Sequence, residues 1–163
     1  MIWRYYRGDP ASSNSASAEA PTATMTSPTP NSNLTQEQKL CSRFLAAIPL
    51  QVNSNPHLVW RGRTLAADCL VEIGQSRFLL GIDHGIIREC RTDLPLLCPW
   101  TFAVRGSVQA WTRLWEDPPP PGWHDLFALS KRGEMAFEGN LQPFMAHLQY
   151  CKDVLSLPRK AAT

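Results

Sequence analysis

Residues 101–157 read TFAVRGSVQAWTRLWEDPPPPGWHDLFALSKRGEMAFEGNLQPFMAHLQYCKDVLSL, and most of the chain's aromatic side chains lie within this stretch. Trp100, Phe102 and Val104 alternate with other residues, the period of a strand buried on one face. Gly106 breaks that strand, and Ser107 suits the N-cap of a following helix. Val108, Trp111, Leu114 and Trp115 recur at helical spacing, and Glu116-Asp117 with Pro118–Pro121 end the helix. Four consecutive prolines make a stiff spacer. Gly122-Trp123-His124-Asp125 then leads into a short helix, Leu126–Lys131, with Gly133 as its C-cap. Met135 and Phe137 alternate with Glu134 and Glu138, which predicts a last strand ending at Gly139. Asn140 is a cap for a final helix, and Leu141, Phe144, Met145, Leu148, Cys151 and Leu155 form its apolar stripe. Pro158 is expected to stop it.

Moving toward the N-terminus, the period changes twice. Leu65, Ala67, Cys69, Val71 and Ile73 alternate as a strand, and Gly74-Gln75-Ser76 is a turn. Phe78, Leu80 and Ile82 alternate again, Asp83-His84-Gly85 turns tightly, and Ile86–Arg91 is a third strand. Strands joined by such short turns are antiparallel neighbours. Residues 93–99, with two prolines, read as a loop. Farther back, Thr35 and Gln38 match a capping box, and Leu40, Cys41, Phe44, Leu45 and Ile48 lie on one helical face. A first helix is predicted over residues 36–48, its exit bracketed by Pro49 and Pro56.

The order of elements predicts an α+β fold with a mostly antiparallel five-stranded sheet and helices packed over it. Three segments divide the chain. Residues 1–34, rich in Ser, Thr, Pro and Ala, are expected to be a disordered tail, because such a composition cannot offset chain entropy by apolar burial. Trp3, Tyr5 and Tyr6 at its head carry no clear role, and Arg7-Gly8-Asp9 is too short a match to an adhesion tripeptide to be informative. Residues 35–158 form the domain, and residues 159–163 a short C-terminal tail.

A formal net charge of +2, with no basic cluster interleaved with aromatics, gives no ground for a nucleic-acid partner. No apolar run approaches the roughly 20 residues that span a bilayer, so no transmembrane segment is expected and at most transient membrane contact. The five cysteines are odd in number, widely spaced and without a CxxC, which argues against a disulfide framework and for a reducing, cytoplasmic setting. The ending Ala-Ala-Thr is not a peroxisomal or retention signal.

Catalysis has little to stand on. There is no Gly-x-Ser-x-Gly turn, and a Cys98 or Cys151 nucleophile paired with His84, His124 or His147 finds no support in the spacing. The histidines and the adjacent pairs Asp83-His84 and His124-Asp125 read as turn and cap residues, with no metal site and no cofactor expected. No Gly-rich phosphate loop is present. The distinguishing feature is the surplus of large apolar side chains. By composition they fill a core; alternatively, some line a cavity, with Met145 adapting to irregular ligands.

The strand Phe102–Ser107 with its helix Val108–Trp115, the helix and turn Leu126–Gly133, the strand Glu134–Asn140 and the helix Leu141–Leu155 resemble the end of the sterol carrier protein type two domain. The early helix and strands are compatible with its first half, so the resemblance spans residues 36–157 and is most specific over the last third. It implies a non-enzymatic lipid carrier with an apolar tunnel for a sterol, fatty acid, fatty acyl-CoA or phospholipid. Carried onto this chain, the tunnel residues are Phe102, Val104, Trp111, Leu114, Phe127, Phe137, Phe144, Met145 and Leu148, with Phe137, Phe144 and Met145 facing a shared interior. The proline-rich segment Trp115–Trp123, the long tail and the missing peroxisomal ending depart from the pattern. A second reading keeps the fold but makes it an accessory interaction module that supports a lipid- or hydrocarbon-metabolising enzyme partner.

Overall fold

The computed structural model describes residues 30–160, with side chains placed for residues 35–159. The expectations for residues 1–29, including Trp3, Tyr5, Tyr6 and Arg7-Gly8-Asp9, lie outside the described residues, as do those for residues 161–163. The elements in chain order are α1 Pro30–Asn53, α2 Pro56–Arg61, β1 Ala66–Ile73, β2 Ser76–Asp83, β3 Ile86–Arg91, β4 Phe102–Gly106, α3 Val108–Leu114, α4 Leu126–Lys131, β5 Met135–Gly139, α5 Gln142–Ala146 and α6 Leu148–Lys160.

The five strands form one sheet in the order β3-β2-β1-β4-β5. Neighbours are antiparallel except β1 and β4, which run parallel with Val71 opposite Val104. The sheet is thus mostly antiparallel, as expected, with one parallel pairing that the short turns could not reveal. Residues 92–101 carry the chain from β3 at one edge, past β2 and β1, to β4. That connection packs Leu94, Cys98 and Trp100 on Leu70, Leu79 and Ala103, the apolar patch on one face of the sheet. Trp100, expected in the strand, lies outside β4 and fills this patch instead. Its ring sits where a Cβ on Gly139 would come within 2.3 Å, and Gly139 has φ +84, so glycine is required there on two counts.

The opposite face carries the core. Cys69, Val71, Ile73, Phe78, Leu80, Phe102 and Val104 project into it from the strands, and α1, α3 and α6 cover it. Two indoles hold this layer in register. Trp111 is fully buried and its N–H donates to the Glu72 carbonyl at 2.8 Å. Trp115 does the same to the Leu155 carbonyl at 2.8 Å. Their rings lie 5.1 Å apart, with Phe44 stacked on Trp115 at 6.1 Å. Ser107 caps α3 as expected, its oxygen accepting from the Ala110 N–H at 3.0 Å.

Three helix boundaries differ from expectation. First, α1 begins at Pro30, so Thr35 lies inside the helix rather than at its cap. Second, α1 continues through Pro49 to Asn53. Ala47, Ile48 and Val52 are fully buried around the proline, and Asn53 pairs with the edge strand, donating to the Ile87 carbonyl and accepting from its N–H, both at 2.9 Å. Tertiary anchoring on both sides outweighs the hydrogen bond that proline removes. Third, α6 passes through Pro158 to Lys160 because Leu157 is buried and Arg159 donates twice to the Leu114 carbonyl, at 3.0 and 2.7 Å. The expected stop at Pro158 is thus overridden by contacts distant in sequence.

Candidate functional site

The predicted final helix is two helices. His147 has φ −118 and ψ 32, which ends α5 and restarts the chain as α6. The His147 ring holds the joint, donating from Nδ1 to the Pro143 carbonyl at 3.0 Å, with Nε2 hydrogen-bonded to the Thr64 hydroxyl at 2.8 Å. The break changes the helical phase. α5 buries Phe144, while α6 buries Tyr150, Cys151, Val154 and Leu155. Met145, expected to face the same interior as Phe144, is 53% exposed as a result.

The other predicted tunnel residues fall into two groups. Phe102, Phe127, Phe137 and Phe144 come together from β4, α4, β5 and α5. Their ring centroids are 5.4 Å apart for Phe102–Phe144, 5.4 Å for Phe127–Phe137, 5.1 Å for Phe137–Phe144 and 6.3 Å for Phe127–Phe144. Phe127 and Phe137 are half-buried, whereas Phe144 and Phe102 are buried, so the rings run from the surface inward. Leu148, at the start of α6, packs half-buried on the core. Trp111 and Leu114 belong with Trp115 in the close-packed half beneath α3 and α6, and Val104 is fully buried in the sheet.

At the inner end of the ring series is a small void of about 10 Å³. Phe102, Cys69, Leu80, Tyr150, Cys151 and Leu155 are among its walls. Tyr150, Cys69 and Cys151 were not singled out from sequence as lining residues, although Cys151 was in the helical stripe. Burial drives the Tyr150 phenol upward, and its hydroxyl donates to the Gly85 carbonyl at 2.9 Å. Burial also pushes the Cys151 thiol up to about 12, and the Cys69 thiol well above its ordinary value. A thiol at about 12 presents a thiolate fraction on the order of 10⁻⁴ at pH 8, which removes Cys151 as a practical nucleophile. Iodoacetamide at pH 8 is accordingly expected to label Cys69 and Cys151 only after denaturation, as read by intact mass. Labelling of Cys151 in the folded protein at the rate of a free thiol would contradict this placement.

The mouth of the ring series is amphipathic. Lys152, one turn beyond Leu148 on α6, sets its Nζ 5.1 Å from the centroid of Phe127. The same Nζ lies 2.7 Å from Asp125 Oδ1, yet that oxygen is buried and accepts no aligned hydrogen bond. Asp125 is the residue at the N-cap of α4, and its side chain makes no capping bond there. Of the two sequence pairs, His84 Nδ1 lies 2.6 Å from Asp83 Oδ1 on the β2–β3 turn, where Arg88 also pairs with Asp83, while His124 is exposed. Among the described residues, no group of three or more His, Cys, Asp or Glu side chains is placed to hold a metal ion, and no helix is long and apolar enough to cross a membrane.

The architecture is that of a small α+β domain, with helices covering one face of a five-stranded mixed sheet. Comparison with solved structures makes the class specific. The crystal structure of sterol carrier protein 2 matches at a TM-score of 0.54 and 13% identity, covering 78% of this chain and 96% of that one. The solution structure of a conserved hypothetical protein from Thermus thermophilus, described as a candidate sterol carrier protein, matches at a TM-score of 0.50 and 13% identity, covering 79% and 87%. The chain has the sterol carrier protein 2 fold, as the resemblance over residues 36–157 implied. No family model and no curated protein sequence matches the chain.

Proposed function

We propose that the chain binds a hydrophobic ligand without transforming it, laying the ligand's apolar body along Phe127, Phe137, Phe144 and Phe102. The observation that carries this reading is the ring series itself, which leads from half-buried Phe127 and Phe137 to buried Phe102 at the edge of the void. The fold supports it, because the neighbour of known name is a sterol carrier. The void of about 10 Å³ is far smaller than a lipid, so entry requires the rings to turn aside and α5 to lift from β5. The broken joint at His147 makes α5 a five-residue unit that can move without unwinding α6. Burying about 350 Å² of ligand at about 25 cal/mol per Å² corresponds to a dissociation constant on the order of micromolar. The five free cysteines fit the reducing, cytoplasmic setting in which such a carrier would work.

The experiment is displacement of a fluorescent C18 acyl probe, with oleate, cholesterol and phosphatidylcholine as competitors. Saturable binding near micromolar is expected, weakened about tenfold by Phe127→Ala. Absence of saturable binding for every competitor overturns the proposal. The filled interior favours the second reading, an accessory interaction module. Leu96 and Leu97, 87% and 91% exposed on the β3–β4 connection, offer it a contact surface. The same displacement experiment decides between the two, since the module reading expects no ligand.

A further inference from the structure

We infer that Lys152 and Asp125 form an exchangeable pair that selects amphiphiles carrying a carboxylate over uncharged ones, an inference that rests on the ligand-binding reading above. Lys152 stands at the mouth of the ring series, with its ammonium 5.1 Å from the Phe127 ring and Leu148 one turn earlier on the same face of α6. A ligand whose apolar body follows Phe127 and Phe144 inward therefore leaves its head beside Nζ. Arg132 lies over Trp123, and Arg105 pairs with Glu72 and Glu138 on the opposite face of the sheet. An ammonium at an apolar mouth recognises an anion, because a charge-assisted bond gains strength where water is excluded.

Asp125 now occupies that position, but poorly. Its Oδ1 is buried and close to Nζ without hydrogen-bond alignment. It also has a second place to go. As the N-cap residue of α4, with extended φ −128 and ψ 134, its carboxylate can turn to accept from the N–H of Phe127 or Ala128, where no side chain accepts at present. An incoming carboxylate can take Lys152 while Asp125 turns to the cap. Lys152 keeps a counter-charge and Asp125 keeps donors, so neither of these half-buried charges is left without a partner at either stage. An alcohol or sterol hydroxyl cannot drive the exchange, because it would leave Lys152 without an anion.

The test compares oleate with oleyl alcohol, which share one chain, by probe displacement at pH 8 in the full chain, Lys152→Met and Asp125→Asn. Oleate is expected to bind about tenfold more tightly than the alcohol in the unmodified protein. Lys152→Met, which keeps an apolar stem, should bring that ratio to about one. Asp125→Asn keeps a good N-cap but removes the competing charge, and should tighten oleate severalfold. If both ligands bind and neither substitution changes their ratio, the selectivity inference is overturned while ligand binding stands. If neither ligand binds the unmodified chain and the other lipids also fail, both proposals fall. Should Lys152→Met fail to fold by circular dichroism, the Asp125→Asn arm decides alone, and unchanged oleate affinity there overturns the inference.

Discussion

Trp111→Ala is expected to lower the unfolding free energy by about 4 kcal/mol, the range found for truncating a large buried aromatic. Trp111 has no exposed surface, packs 5.1 Å from Trp115 and donates its indole N–H to the Glu72 carbonyl. Truncation opens a void at the contact between α3 and the sheet and removes the indole's bond to that carbonyl. Domains of this size are held by about 5–15 kcal/mol in total, so the variant should sit close to its unfolding threshold. Trp111→Phe separates the two causes. It keeps much of the ring volume and loses the donor, so its cost should fall to about 1–3 kcal/mol. Urea denaturation followed by far-ultraviolet circular dichroism measures both. A cost below about 1 kcal/mol for the alanine variant would mean that the helix layer is not anchored through this indole.

Gly85→Ala is the second large effect, expected at about 3 kcal/mol or more from backbone strain plus overpacking. Gly85 has φ +79, and a Cβ there would lie 2.3 Å from the Val59 carbonyl oxygen and 2.9 Å from the Gly62 carbonyl carbon. Both obstacles are backbone, so neither can swing away. The same residue accepts the Tyr150 hydroxyl, and Gly62 in turn has no room for a Cβ against the Tyr150 ring, at 2.6 Å. The β2–β3 turn, α2 and α6 therefore meet at one close-packed point. Gly133→Ala is the matched control. Its φ is +75, yet nothing lies within 4 Å of the added Cβ, so only the conformational cost of about 1 kcal/mol remains. Parallel urea titrations should separate the two variants clearly. Equal costs would show that the three-way contact at Gly85 is looser than its geometry.

The candidate site was legible in part. Phe102 and Phe137 were marked by strand alternation and Phe144 by a helical stripe, Phe127 only by the family resemblance, and the fold gathers all four. Trp111 and Leu114 carried the same apolar signal but went to the solid half of the core. Periodicity records that a side chain is buried; it does not record which neighbours surround it. Lys152 and Asp125 had no signal of that kind. Asp125 read as a residue leading into α4, which it is, but its carboxylate is spent on α6 rather than on the cap. The phase slip at His147 was equally hidden, since the stripe from Leu141 to Leu155 is continuous in sequence and Pro143 fits the first turn of one long helix.

The amino-acid sequence alone determined the parts whose causes are local. The alternation of β1 and β2, the turns at Gly74 and Gly85, the Ser107 cap and the α4 boundaries all follow from neighbouring residues, so they could be read along the chain. Tertiary structure decided the rest. It made β1 and β4 parallel by routing residues 92–101 past two strands, carried α1 and α6 through their prolines, turned Met145 outward and set Lys152 against Asp125 at the edge of the aromatic series. In each of these the deciding energy comes from contacts between elements far apart in sequence. Such contacts exist only once the sheet has assembled, which is why no local pattern announced them.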